Sequence, residues 1–368
     1  MATHEREITG PVDLCGPDGR LHRGAVGWSR TPLHRGNLRG WGRTKRWEYW
    51  CVTTPTHLLA LTVSDLDFLT LDTVYFLSWD EHGVLEDHER TAIAPGLPLR
   101  RTAFPAGIAG SGGPDGADLT VGPERPGRRR VRISITHEPG GTRLRARALT
   151  ADLRPLEADL LVALPDGHET LSVVVPWDDK RFQYTSKHTA RPATGTVRLG
   201  DRTYDFGADG GAGGGADGDG NGDAWGVLDH GRGRWPRSLG WNWGAASGRT
   251  DGHTVGLQFG GQWTEGTGST ENALCVDGRI SKIGTELAWQ YDPADPLAPW
   301  RITTPGSDQV DLAFVPFHDR RTRTETGLIA NRTDQCFGHY RGTIRTDDGL
   351  RVAVDGLLGW AEDVRMRW

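Results

Sequence analysis

Residues Trp225–Asn272 read WGVLDHGRGRWPRSLGWNWGAASGRTDGHTVGLQFGGQWTEGTGSTEN, and the fold of the whole chain turns on how this stretch is laid out. Within it, Val255–Trp263 (VGLQFGGQW) alternates, with Val255, Leu257, Phe259 and Trp263 on one face and Gly256, Gln258, Gly260 and Gln262 on the other. That is the period of a strand. Glycine weakens a strand, so Gly256 and Gly260 predict a wall that leaves room for a ligand beside Gln258 and Gln262. Trp235, Trp241, Trp243 and Trp263 stand close in sequence to Asp229, His230, Arg232, Arg234, Glu265 and Glu271. Apolar walls with a few convergent polar groups make a ligand pocket.

Working outward, 52 glycines and 21 prolines punctuate short β-branched or aromatic runs, and helical periodicity is hard to find. The fold class is all-β, with two antiparallel β units and little helix. The nearly continuous apolar run Leu58–Val63 predicts a strand buried on both faces. Strands are also expected at Arg130–His137, Thr142–Leu149, Glu157–Leu164 and Leu171–Pro176. Asp277-Gly278 is a favoured hairpin turn between Ala273–Val276 and Arg279–Ile283, and Asp347-Asp348-Gly349 turns Gly342–Arg345 into Leu350–Val354. The Gly/Asp run Gly207–Asp223 cannot build a core and marks a seam. The expected division is residues 1–205, a flexible loop at 206–224, and residues 225–368. Inside the loop Asp217, Asp219, Asn221 and Gly222 match half of a calcium-binding loop. Leu228 stands where that loop needs a bidentate Glu, so a flexible segment is the better reading.

Composition removes several classes. A formal net charge of −5 gives no general attraction to nucleic acid or anionic lipid, and Arg128, Arg129 and Arg130 read as a solvated patch. No apolar run approaches the ~20 residues of a membrane-spanning helix. The polar start MATHEREITGPVDL lacks the apolar core of a signal peptide. Cys15, Cys51, Cys275 and Cys336 have no zinc-like spacing and read as reduced thiols of a cytoplasmic protein. No metal or cofactor is expected, and phosphate-loop, dinucleotide, nucleophile-elbow and HExxH motifs are missing.

Two further patterns carry candidate chemistry. In PWDDKRFQYTSKH (Pro176–His188), Lys180, Gln183, Tyr184 and Lys187 suit either a pocket rim or an inter-strand corner. Asp229 beside aromatic walls would have its pKa raised by desolvation, making it a proton donor, whereas Arg232 or Arg234 nearby would hold it charged. A turn-capping or ion-paired Asp229 is the plainer alternative. Glu265 and Glu271 bracket GTGST as the other acids, which keeps a paired-carboxylate glycosidase open.

The segments DHGRGRWPRSLGWNWGAASG, GLQFGGQWTEGTGSTENALCVDG, KRWEYWCVTTPTHLLALTVSDLDF, PWDDKRFQYTSKH, QCFGHYRGTIRTDDG and GWAEDVRMRW resemble the bacterial domain-of-unknown-function family 2804 over nearly the whole chain. More distantly, Asp229-His230 followed by Trp241-Asn242-Trp243-Gly244 is similar to the DHxWG…WxWG segment of carotenoid 1,2-hydratase-like and AttH-like proteins. Here Gly-Arg-Gly-Arg-Trp replaces the usual short step to Trp-Gly. That wider group, which includes lipocalin-like pericyclases, implies two lipocalin-like barrels.

The resemblance implies an enzyme, free of cofactor, that hydrates, isomerises or cyclises an unsaturated isoprenoid, polyketide or lipid-like molecule. Asp229 would be the acid, His230 would orient it, and Trp241 and Trp243 would wall the cavity. The alternatives are a carbohydrate-active enzyme using Glu265 or Glu271 with Trp platforms, and a non-catalytic carrier of lipophilic ligands. The expected partner is an apolar or sugar-like small molecule. If Asp229 is the acid, it should share one cavity with Tyr184, Gln258 and Gln262, formed by both halves of the chain.

Overall fold

The computed structural model describes residues 5–96, 104–109, 116–123, 131–207, 223–327 and 329–367. The expectations for Arg128–Arg130 and for the calcium-like residues Asp217, Asp219, Asn221 and Gly222 lie outside the described residues. Among those described, every regular element is a strand except a 3-10 turn at Arg23–Ala25, and no helix is long and apolar enough to cross a membrane.

Two curled antiparallel sheets, each a lipocalin-like barrel unit, make up the molecule. From one edge, the first runs Gly83–Pro95, Leu69–Asp80, His57–Asp65, Thr44–Thr53, Ala224–Arg234, Phe182–Leu199, Pro155–Ala163, Gly141–Leu149, Val131–Glu138 and Leu119–Val121. The second runs Arg279–Ile283, Asn272–Val276, His253–Gly261, Ser238–Thr250, Arg351–Arg367, Ile329–Arg345, Val310–Thr326, Trp300–Thr303 and Ala288–Gln290. The strand Ala224–Arg234 is inserted between Thr44–Thr53 and Phe182–Leu199 of the first sheet, so the chain passes from one sheet to the other at 235–237.

Each barrel has its own apolar interior. Trp50, Leu59, Leu61, Val63 and Phe76 fill the first, and Leu257, Phe259, Trp300, Phe314 and Tyr340 fill the second. A third layer lies between them, where Tyr49, Leu58, Ala60, Tyr75 and Leu77 meet Trp243, Phe337 and Trp360. This explains the continuous apolar run at Leu58–Val63. Alternate residues face the first barrel's interior and the second barrel, so both faces of the strand are covered except at half-buried Thr62. The Asp277-Gly278 turn is formed with both residues at positive φ, as a two-residue hairpin linking right-twisted strands requires. All four cysteines are buried and unbridged.

Three histidines are enclosed and held neutral. Burial pulls His34 down to about 4. His230 falls to about 4 through burial, with Arg232 adding to it. His188 lies well below its usual value, again through burial first and Arg191 second. Depressed imidazoles contribute stability that is complete above the ordinary histidine value and is lost as the pH falls toward their folded values. The melting temperature is therefore expected to drop by on the order of 10 °C between pH 7 and pH 4.5. A flat profile across that window in a thermal melt would contradict the enclosure of these rings.

Candidate functional site

Strand register builds a slot between the two barrels. On the first sheet, Lys187, Asp229, Tyr49, Thr62, Thr73 and Thr91 are direct cross-strand partners in succession. On the second, Trp243, Glu362, Gln335 and Arg320 form one such row and Trp241, Val364, Thr333 and Thr322 the next. All of these side chains line one cavity of about 510 Å³. They do so because cross-strand partners share a face of the sheet. The alternation that sends Trp50, Leu59 and Leu61 into the first barrel sends Tyr49 and Thr62 into the slot.

The inner end of the slot is charged and aromatic. Lys187 Nζ lies 3.0 Å from Asp229 Oδ1, 3.3 Å from Glu271 Oε2, and 4.4 Å from the Trp243 ring centroid. Asp229 also accepts hydrogen bonds from Trp47 Nε1 at 3.1 Å and Thr185 Oγ1 at 3.2 Å. Trp263 Nε1 donates to Glu271 Oε1 at 2.6 Å, while buried Glu271 Oε2 has no contact of that kind beyond the Lys187 ammonium among the described residues. Glu362 accepts from Trp241 Nε1 at 2.8 Å and from the Gln335 amide at 3.1 Å.

Enclosure divides these groups electrically. Burial pushes Glu271 up to about 7 against the pull of Lys187, with Asp229 adding to the rise. Burial likewise pushes Glu362 up to about 7, opposed by the Trp241 hydrogen bond and by Lys187. For Lys187 burial acts downward, but the Asp229 and Glu271 carboxylates outweigh it and the ammonium is favoured. The two carboxyls at Lys187 are not equivalent. Asp229 lies closer and has two further donors, so it takes the ammonium, and desolvation prevails at Glu271. One cavity thus holds a favoured cation beside carboxyls that can be neutral near pH 7, the separation of pKa values that acid–base chemistry needs.

The structure gathers Gln183, Lys187, Asp229, Trp235, Trp241, Trp243, Trp263 and Glu271 around the cavity. Others point elsewhere. His230 follows Asp229 on a pleated strand and therefore faces the other way, 3.4 Å from Glu48, so Trp47, Thr185 and Lys187 orient Asp229 instead. Arg232 is on that same far face, bonded to the Trp47 and Pro105 carbonyls. Arg234 is tied to the carbonyls of Gly19 and Arg39. Tyr184 stacks near His34 and bonds Ser172, away from the slot. Lys180 and Glu265 are exposed.

The glycine-lined face of Val255–Trp263 leaves room for protein side chains. A Cβ on Gly256 would lie 2.3 Å from Thr189 Oγ1, and one on Gly260 would lie 2.2 Å from Glu271 Cγ. Gln258 is buried, accepting from Trp243 Nε1 at 3.0 Å. The strand ends at Gly261, and Gln262, at φ 66°, breaks the alternation. Trp263 therefore swings into the cavity, while Gln262 bonds Asn242. Gly260→Ala is expected to displace Glu271, costing about 1–3 kcal/mol of stability through overpacking and lowering turnover. Thermal melts and rates check this, and a variant identical to the parent in both would refute it.

Sequence reasoning missed Trp47, Tyr49, Arg320, Gln335 and Glu362. A signal was present for some, since Trp47 and Tyr49 alternate in KRWEYW and Glu362 is an acid within a strand-like run.

Fold and cavity together define a two-barrel lipocalin-like protein with a carboxyl-bearing slot between its barrels. The chain belongs to the family described as Domain of unknown function (DUF2804), whose model matches residues 5–368. No curated protein matches it. Among solved structures it is similar to kievitone hydratase from Nectria haematococca, at 10% identity over 89% of each chain with a TM-score of 0.40. It is also similar to CghA with Sch210972, at 9% identity over 98% of this chain and 94% of that one, with a TM-score of 0.35.

Proposed function

We propose that this protein is an acid–base enzyme that needs no cofactor and acts on an unsaturated, largely apolar small molecule of isoprenoid, polyketide or lipid-like character, hydrating, isomerising or cyclising it. The observation that carries this reading is Glu271, raised to about 7, with Oε2 facing Lys187 at 3.3 Å among the tryptophans at the inner end of the slot. Glu271 is the donor. Its proton passes to one carbon of the substrate double bond, forming a C–H bond and leaving a cation on the neighbouring carbon. Aromatic faces stabilise that cation. The Lys187 ammonium stabilises the carboxylate left behind. Water attack followed by return of a proton to Glu271 completes a hydration. Loss of a neighbouring C–H proton to the Glu271 carboxylate completes an isomerisation, and attack by a second double bond of the substrate closes a ring whose new cation then loses a C–H proton to that same carboxylate. Asp229 anchors Lys187, and Glu362, the second raised acid, stands as the alternative donor.

The carbohydrate-active reading calls for a pair of carboxyls with space for a sugar or water between them. Here one ammonium occupies the space between Asp229 and Glu271, which weighs against it. A carrier has no use for carboxyls poised near neutrality. The test is incubation of the protein with a panel of polyenes in D2O, followed by mass spectrometry. Deuterium incorporation or a gain of water by the parent, lost in Glu271→Gln and kept in Glu265→Gln, supports the proposal. Binding without any exchange or water gain would identify a carrier.

A further inference from the structure

One cross-strand row of the slot changes chemistry from its inner to its outer end, beside a row that carries Ser64, Leu71 and Ile93. At the inner end lie Lys187, Asp229, Glu271 and the tryptophans. From Tyr49 the first-sheet row continues outward as Thr62, Thr73 and Thr91, three hydroxyl-bearing residues on three adjacent strands. The facing wall changes in the same direction, from Trp243 and Trp241 to Gln335, Thr333 and Thr322. Neighbouring strands lie about 4.8 Å apart, so the five steps from Lys187 to Thr91 span roughly 24 Å.

Strand propensity does not account for these hydroxyls. Valine has the same shape and suits a strand as well, and at buried Thr73 and half-buried Thr62, Thr322 and Thr333 it would line a path for hydrocarbon without desolvating an oxygen, whereas exposed Thr91 meets water at the mouth. The Thr73 and Thr91 hydroxyls pair with each other at 2.9 Å, and Thr333 donates to Asn331 at 2.8 Å. The Thr62 and Thr322 hydroxyls have no such bond to another described residue, which leaves them open to the cavity. Charge decides what kind of oxygen fits. Among the described residues, the Arg320 guanidinium is already taken by Glu89 at 2.8 Å and Gln335 at 3.1 Å, and Lys45, which also lines the cavity, stands over Phe68 beside Asp67 and Asp65, so neither cation is offered to a carboxylate.

We propose that the substrate is an elongated amphiphile whose unsaturated apolar end lies at the inner carboxyls and whose neutral oxygen-bearing end, a hydroxyl or carbonyl, lies among the outer threonines. This rests on the acid–base reading for the inner end and adds the chemistry of the outer one.

The probes are farnesol and farnesene, which share an unsaturated body and differ in the terminal hydroxyl, each displacing 1-aminoanthracene from the protein. Farnesol is expected to displace at a concentration at least roughly tenfold lower, the worth of a hydrogen bond that the hydrocarbon leaves unmade. In Thr62→Val/Thr322→Val the ratio is expected to shrink to about threefold or less, through loss of farnesol affinity. Thr322→Ala alone, at a half-buried position, shifts the ratio the same way should the double variant misfold. Equal displacement by both probes, no displacement by either, or a farnesol preference that survives the threonine changes would each overturn the proposal. Displacement needs no turnover, so this result is separate from that of the proton donor. A Glu271→Gln variant that is inactive yet prefers farnesol supports both readings. A Glu271→Gln variant that is fully active removes only the donor.

Discussion

Glu271→Gln is expected to lose turnover by on the order of 10²-fold or more while remaining folded and able to bind ligand. Glutamine keeps the volume and still accepts from Trp263 through its carbonyl oxygen, so what is removed is the transferable proton. Because the neutral carboxyl is the active form, parent turnover should fall as the pH rises through about 7. Stability should show the opposite cost. A carboxyl whose folded value lies above its unfolded value contributes stability that is present at low pH and lost as the pH rises through its folded value. Glutamine does not ionise, so the variant should gain stability relative to the parent between pH 5 and pH 8. Undiminished turnover in Glu271→Gln would transfer the donor's role to Glu362 or end the acid–base account.

Lys187→Met is expected to destabilise the protein by about 3–5 kcal/mol at pH 8, the usual result of leaving buried carboxylates without their cation. Methionine can still pack its chain over Trp243, so lost contact is the smaller part of the effect. With no ammonium opposite, the folded carboxyls shift upward, and by linkage the penalty should shrink as the pH is lowered toward 5. Denaturant melts at the two pH values measure this directly. A variant as stable as the parent at pH 8 would mean that Lys187 is not the cation on which both barrels converge.

Much of the fold was legible, because turn chemistry and period-2 alternation are local. Asp277-Gly278 makes its hairpin wherever the flanking strands end up, and Leu58–Val63 announced burial on both faces through side-chain type alone. The strands at 342–345 and 350–354 were read only as short ends of the 17-residue strands Ile329–Arg345 and Arg351–Arg367. The outer part of Arg351–Arg367 alternates exposed and buried residues, whereas the inner parts of both strands line the slot and carry Asn331, Thr333, Gln335 and Glu362, which look like surface residues.

The site was legible only in part for a related reason. Lys187, Asp229 and Glu271 meet because a strand beginning at Ala224 is inserted into a sheet made largely of the first half of the chain, and nothing in the local sequence sets that insertion. Asp229 and Glu271 were named as acids. The division between them, one holding the ammonium and the other kept near neutrality, depends on distances that arise only when the barrels pack. His230 was named for its adjacency to Asp229, but on a pleated strand neighbours diverge, and its ring faces Glu48. Gln262 and Trp263 exchanged faces through one positive φ.

The central claim is that this slot holds carboxyl groups still protonated near neutral pH, one of them Glu271. Its most direct test is a pH titration of the protein labelled with 13C at the glutamate side-chain carboxyls, observed by NMR in the parent, Glu271→Gln and Glu362→Gln. The account predicts two resonances that titrate near pH 7, one missing from each variant. Complete ionisation of every glutamate by pH 6 would contradict it.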